Sequence, residues 1–150
     1  MSRAFKQRLA QRDATALWLA LFAFAGFWLN SWAAPLFDLD EGAFTAATRE
    51  MFERGDFLMT YLDGAPRYDK PILIYWLQAA SVSVLGWSEF ALRLPSMLAA
   101  SAWMLVVYRF VREISGSREK ALFAAGALAL SPVPGLIGHA ATADALLNLW

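Results

Sequence analysis

Residues 71–88 read PILIYWLQAASVSVLGWS, and whether this stretch crosses a membrane decides how the chain is folded. It carries no charge, yet it holds Gln78, Ser81 and Ser83 and ends in Gly86-Trp87-Ser88. At ~1.5 Å per helical residue it would barely reach across the ~30 Å of a bilayer's hydrocarbon. The alternative is a helix lying in the interface. Three other stretches are long and apolar enough to span: 14–34, 90–108 and 121–143. Arg3, Lys6, Arg8 and Arg12 precede the first, and Arg109, Arg112, Arg118 and Lys120 fill the loop before the third. The positive-inside rule places both groups in the cytoplasm. An even number of crossings must then separate residues 13 and 109, and spans 14–34 and 90–108 supply two. Residues 71–87 are therefore expected as an interfacial helix inside one outward loop, 35–89. An inverted arrangement with three crossings scores similarly, because Arg49, Arg54, Arg67 and Lys70 lie in the same loop. About three to four spanning helices are expected.

With 59% hydrophobic and only 17% charged residues, the chain is too apolar for an ordinary soluble domain, so the expected class is an all-α integral membrane protein. Thirteen basic residues balance thirteen acidic ones, so no net field recruits nucleic acid, and none is expected as a partner. The absence of cysteine excludes disulfides, thiolate chemistry and cysteine-ligated metals. The uncharged run after Asp13 is longer than a cleavable signal core and reads as a retained anchor. The chain stops at Trp150 inside the apolar ADALLNLW, so a longer protein is expected. Pro132, Pro134 and Gly135 should break the third span near its outer end, which is tolerated where protein or water satisfies the freed backbone groups.

The outward loop opens on DLDEGAF, residues 38–44. Phe44, Ala47, Thr48, Met51 and Phe52 then recur at helical spacing, predicting an amphipathic helix over about 41–54 closed by Gly55. Asp40 has two compatible readings. As an N-cap it would bond an amide of the first turn, with Leu39 and Phe44 as a staple and Glu41 favourable to the helix dipole. As a rigidly held carboxylate at the membrane surface it suits a general base meeting an acceptor hydroxyl. Asp38-Leu39-Asp40 is also a D-x-D pattern that could hold Mg²⁺ or Mn²⁺; the pattern is too short to assign a cofactor, and the metal is left unknown. In YLDGAPRYDKP, residues 61–71, Asp63-Gly64 and Pro66 signal a turn. Arg67, Tyr68 and Lys70 follow, either as interfacial anchors or as donors to a phosphate. Glu89 and Arg93 are spaced to pair, or to snorkel, at a membrane rim. Asp144 is either a functional acid near membrane depth or the cap of the next helix. His139, the chain's single histidine, reads as a hydrogen-bonded structural side chain.

In their order and spacing, the acidic Asp40-Glu41 after the first span, R-E-M-x-x-x-G-D at 49–56, Y-x-K-P at 68–71 and E-F-A-x-R-L-P at 89–95 resemble the bacterial lipid-linked-sugar transferases of the aminoarabinose transferase and protein O-mannosyltransferase group. The match runs through nearly the whole chain and covers the N-terminal third or less of such enzymes. The resemblance implies a C-type glycosyltransferase (GT-C) fold in the bacterial inner membrane, multi-pass, with helices of the first outer loop lying on the bilayer. It implies sugar transfer from a polyprenyl-phosphate donor to a lipid, protein or glycan acceptor. Asp40 falls on the family's acid that deprotonates or orients the acceptor, with Glu41 as its motif neighbour. Lys70 falls on the lysine associated with the carrier phosphate, preceded by the aromatic Tyr68. Asp144 matches an acid opening a later helix that faces the same cavity. Several relatives carry an arginine where this chain has Ala43, so a phosphate contact from that position is not implied. The other readings are a transporter or flippase of a lipid-linked substrate, lined by Asp144, Arg93 and the broken third span, and a non-catalytic membrane subunit whose acids cap helices.

Overall fold

The computed structural model describes residues 3–33, 35–36, 39–68 and 70–150. They are mostly helical: α1 (Arg3–Ala23) runs into a wide π-turn (Phe24–Trp28), followed by α2 (Leu39–Arg54), a hairpin of β1 (Tyr61–Leu62) and β2 (Ala65–Pro66), then α3 (Leu73–Leu85), α4 (Glu89–Ser115), α5 (Arg118–Leu130), α6 (Pro132–His139) and α7 (Asp144–Leu149). Among the described residues one helix, α4, is by itself long and apolar enough to cross a membrane. Helices α5 and α6 pass as a pair, bent by 64°. That bend falls at Ser131-Pro132, where the sequence places the break. The first apolar segment is helical only to Trp28, because Leu29 turns extended and Asn30 adopts φ 66°.

Helix α4 starts on the Ser88 hydroxyl, which accepts from the Ala91 amide, and stops at Gly116 with φ 63°. It extends past residue 108 because Arg109 and Arg112 are good helix formers on an exposed end. Pro95 inside it cannot donate to the carbonyl of Ala91. The Ser81 hydroxyl of α3 donates to that carbonyl instead, at 2.5 Å. Polar residues in the apolar α3 thereby acquire a reason. Gln78 is fully buried against the bundle, whereas Leu73, Trp76, Val84 and Leu85 are exposed. Helix α3 thus buries Gln78 among Ile74, Tyr75, Ala79 and Val82 and leaves large apolar side chains exposed on its other side. At 13 residues it measures ~20 Å.

Small residues bring the helices close. Ala121, Ala125 and Ala129 line the buried side of α5, and Gly26 in the π-turn sits against the last of them. A Cβ on Gly26 would lie 2.2 Å from the Ala129 carbonyl oxygen, and that wall is backbone. Gly26→Ala is therefore expected to destabilise the fold by about 1–3 kcal/mol, read as a lowered unfolding temperature of the detergent-solubilised protein. An unchanged midpoint would mean that the π-turn and α5 are farther apart than described.

Helix α2 buries Phe44, Ala47, Thr48 and Met51 as its periodicity predicts, while Phe52 stays partly exposed, edge-on to Phe57 and Trp87. Gly55 closes it with φ 66°. Asp63 (φ 52°) and Gly64 (φ 79°) are both left-handed, which gives the two-residue turn matched to strand twist. The Glu50 carboxylate accepts from the Gly64 amide at 3.3 Å and pairs with Arg54, whose guanidinium lies 4.1 Å from the centre of the Tyr61 ring. The hairpin is thereby docked on the C-terminal half of α2. Its return strand aims the chain back toward the start of that helix.

Candidate functional site

Helix α2 begins at Leu39, so Asp40 lies inside the first turn and is not the N-cap that local spacing predicts. Its carboxylate is exposed and, among the described residues, makes no hydrogen bond or ion pair. Phe44, one turn on, is 1% exposed and stacks on Tyr75 with ring centres 5.2 Å apart. Two cations lie over the same Phe44 ring: the Arg67 guanidinium at 5.4 Å and the Lys70 ammonium at 5.8 Å from its centre. The hairpin holds the first of these in place. The Arg67 amide donates to the Thr60 carbonyl at 2.8 Å, and the Thr60 hydroxyl donates to the Arg67 carbonyl at 2.6 Å. Two cations thus lie over a ring one helical turn from the exposed Asp40, although they follow it by 27 and 30 positions. Tyr68 is 76% exposed, its hydroxyl 3.8 Å from the Met59 sulfur, and does not join this cluster.

Glu41 does something different from its neighbour. It is fully buried and bound by Arg93, which donates from Nε at 2.7 Å and from Nη2 at 3.0 Å. The same Glu41 Oε1 accepts from the Ala141 amide at 2.9 Å. Arg93 also donates to the carbonyls of Ser31 at 3.1 Å and Pro35 at 2.9 Å. This ion pair therefore joins the end of the first helical segment, α2, α4 and the loop before α7. Glu41 is thereby enclosed by a guanidinium and an amide and set apart from the exposed Asp40 with which the motif groups it. The same geometry corrects the pairing of Arg93 with Glu89 at a membrane rim: Glu89 is exposed, while Arg93 is 2% exposed and turned inward.

Asp144 is the first residue of α7, with Ala143 at the N-cap, so the capping reading of this acid does not hold either. Its carboxylate is exposed and accepts from the Thr142 hydroxyl at 3.0 Å. Ala143, just before it, belongs to the apolar cluster around Phe44 and Tyr75, which sets Asp144 beside the same packing unit as the cations. His139 lies between two carbonyls, Gly135 at 2.9 Å from Nδ1 and Leu29 at 3.0 Å from Nε2, in keeping with a structural role. The D-x-D pattern depends on Asp38, which lies outside the described residues. Among those described, no three His, Asp or Glu side chains gather as a metal site.

The sequence signal for Arg93 was a charge one turn inside an apolar helix, which demands a partner. It could not name Glu41, 52 positions away.

The family described as dolichyl-phosphate-mannose-protein mannosyltransferase matches residues 69–150, more than half of the chain. The chain belongs to this family. Among proteins similar to this chain, an uncharacterized protein of Aquifex aeolicus is 39% identical over 107 residues, covering 71% of this chain and 26% of its own length. The undecaprenyl phosphate-alpha-4-amino-4-deoxy-L-arabinose arabinosyl transferases of Aeromonas hydrophila and Aeromonas salmonicida are 31% and 33% identical, each match covering 81% of this chain and 25% of the relative. The chain thus spans about a quarter of the length of the curated relatives it matches. No solved structure matches it.

Proposed function

We propose that this chain is the N-terminal part of an integral membrane glycosyltransferase of GT-C type, which moves a sugar from a polyprenyl-phosphate carrier to a lipid, protein or glycan acceptor on the outer face of a bacterial inner membrane. The observation that carries this reading is the placement of Arg67 and Lys70 over the Phe44 ring, one helical turn from the exposed Asp40. In an inverting displacement at the anomeric carbon, the acceptor oxygen attacks as it loses a proton, and the carrier phosphate departs as an anion that needs no protonation. Asp40 takes the acceptor proton. Lys70 and Arg67 hold the phosphate by charge-assisted hydrogen bonds and stabilise the charge that gathers on it. Asp144 orients a hydroxyl of the sugar or acceptor from across the same cluster. A divalent cation is not required for this arithmetic.

The membrane setting follows from the donor, whose lipid tail confines it to the bilayer. The first segment, α4 and the bent α5–α6 pair cross, while α2 and α3 stay in the outer interface with the site between them. The curated relatives named as undecaprenyl-phosphate-linked arabinosyl transferases support a lipid-linked donor. The test is transfer of radiolabelled sugar from a polyprenyl-phosphate donor by the full-length protein in lipid vesicles. Lys70→Ala is expected to raise the donor KM roughly 10–100-fold, the cost of one charge-assisted hydrogen bond, with Arg67→Ala smaller. Movement of labelled donor across the bilayer with no new glycosidic bond would replace this reading with a transporter.

A further inference from the structure

The 140–143 segment that leads into Asp144 is irregular backbone inside a helical bundle, and side chains satisfy its polar groups. The Ala141 amide donates to Glu41, and the Ala141 carbonyl accepts from Gln78 Nε2 at 2.9 Å. The Thr142 carbonyl accepts from the Ser96 hydroxyl at 2.9 Å. Gln78, Ser96 and Glu41 have no measurable exposure, and Ala141 and Thr142 are buried as well. In such a setting an unpaired carbonyl or amide is costly, so each of these bonds resists any shift of the segment.

Gln78 makes the widest set of links. Its Oε1 accepts from the Thr48 hydroxyl of α2 at 2.7 Å, and its Nε2 reaches the Leu92 carbonyl of α4 at 3.4 Å as well as Ala141. One amide on α3 therefore ties the helix that carries Asp40 to the segment that carries Asp144. Neither helix propensity nor apolar packing calls for glutamine there, since α3 is otherwise apolar on its buried side apart from Ser81. We infer that Gln78 is a positioning residue that fixes Asp144 relative to Asp40 by clamping residues 141–143, with Ser96 as its second clamp. The inference deepens the glycosyltransferase reading and rests on it for the role of Asp144.

Residues 1–150 contain no cysteine; with any cysteine elsewhere in the full-length protein replaced by serine, two can be introduced for spin labels on exposed helix positions, Glu53→Cys on α2 and Asn148→Cys on α7. In the full-length protein the label-to-label distance should be single and narrow. Gln78→Met, which keeps the volume but removes the amide, is expected to broaden or shift it and to lower turnover roughly 10–100-fold with donor KM little changed, as misplacement of a reacting group does. Ser83→Ala, whose hydroxyl bonds only within α3 to the Ala79 carbonyl, should leave the distance as it was. If Gln78→Met does not fold, Ser96→Ala, which removes one hydrogen bond, decides by the same readout. A distance indistinguishable from the parent in the folded variants overturns the inference. A broadened distance with full turnover upholds the clamp and counts instead against Asp144 in the reaction.

Discussion

Glu41→Gln is expected to leave little folded protein in the membrane. The substitution keeps the shape but removes the charge that faces Arg93, whose guanidinium is 2% exposed and held within 2.7–3.1 Å of Glu41, Ser31 and Pro35. Breaking a buried pair from one side costs about 3–5 kcal/mol, because the surviving charge stays buried without compensation. Set against a typical total stability of about 5–15 kcal/mol, that is a large share. Arg93→Met should do the same from the other side. The double substitution Glu41→Leu/Arg93→Met removes both charges and is expected to recover part of the loss, but not all. The Ala141 amide and the Ser31 and Pro35 carbonyls lose their partners as well. Thermal unfolding of the purified variants in detergent, with yield from membranes as a second measure, reads the ordering. Single variants as stable as the parent would show that the pair does not hold these four segments together.

Asp40→Asn should behave in the opposite way, with wild-type stability and a turnover lower by ~10²–10⁴-fold, the usual contribution of a positioned general base. The side chain is exposed and inside the first turn of α2, so the amide costs at most the interaction of a charge with the helix dipole, about 0.3–1 kcal/mol. Asparagine matches aspartate in size and hydrogen-bonding reach but cannot accept a proton at neutral pH. The contrast between residues 40 and 41 is therefore diagnostic: adjacent acids, one lost in chemistry and the other lost in folding. Normal sugar transfer by the Asp40→Asn protein would remove this carboxylate from the mechanism.

The two acids look alike in sequence because their difference is made elsewhere. Both follow a greasy segment and both open a helix, and capping rules assigned them to the same turn. Helix α2 starts two residues earlier than those rules predict, and Asp40 is on the solvent side. Glu41 faces the core, where Arg93 arrives from α4 and the Ala141 amide from 100 positions downstream. Phe44 was legible as a core position of α2. Its use as the ring under Arg67 and Lys70 was not, since the hairpin at Asp63-Gly64 must first fold back along the helix. Gln78 and Ser81 marked residues 71–88 as an odd apolar stretch and pointed to an interfacial helix, without naming what their polar groups bind. In the structure it is turned to the carbonyls of Ala91, Leu92 and Ala141.

By itself the sequence determined what depends on near neighbours: the apolar stripe of α2 and its glycine stop, the two-residue turn, the proline break after Leu130, and the ordered motifs that mark the family. These are encoded in contacts a few residues apart, so a linear pattern suffices to read them. The tertiary structure alone decided which charged and polar groups became partners. Such pairings bring together residues 10 to 100 positions apart, and their value depends on being buried with the right geometry, a property that only the packed bundle possesses.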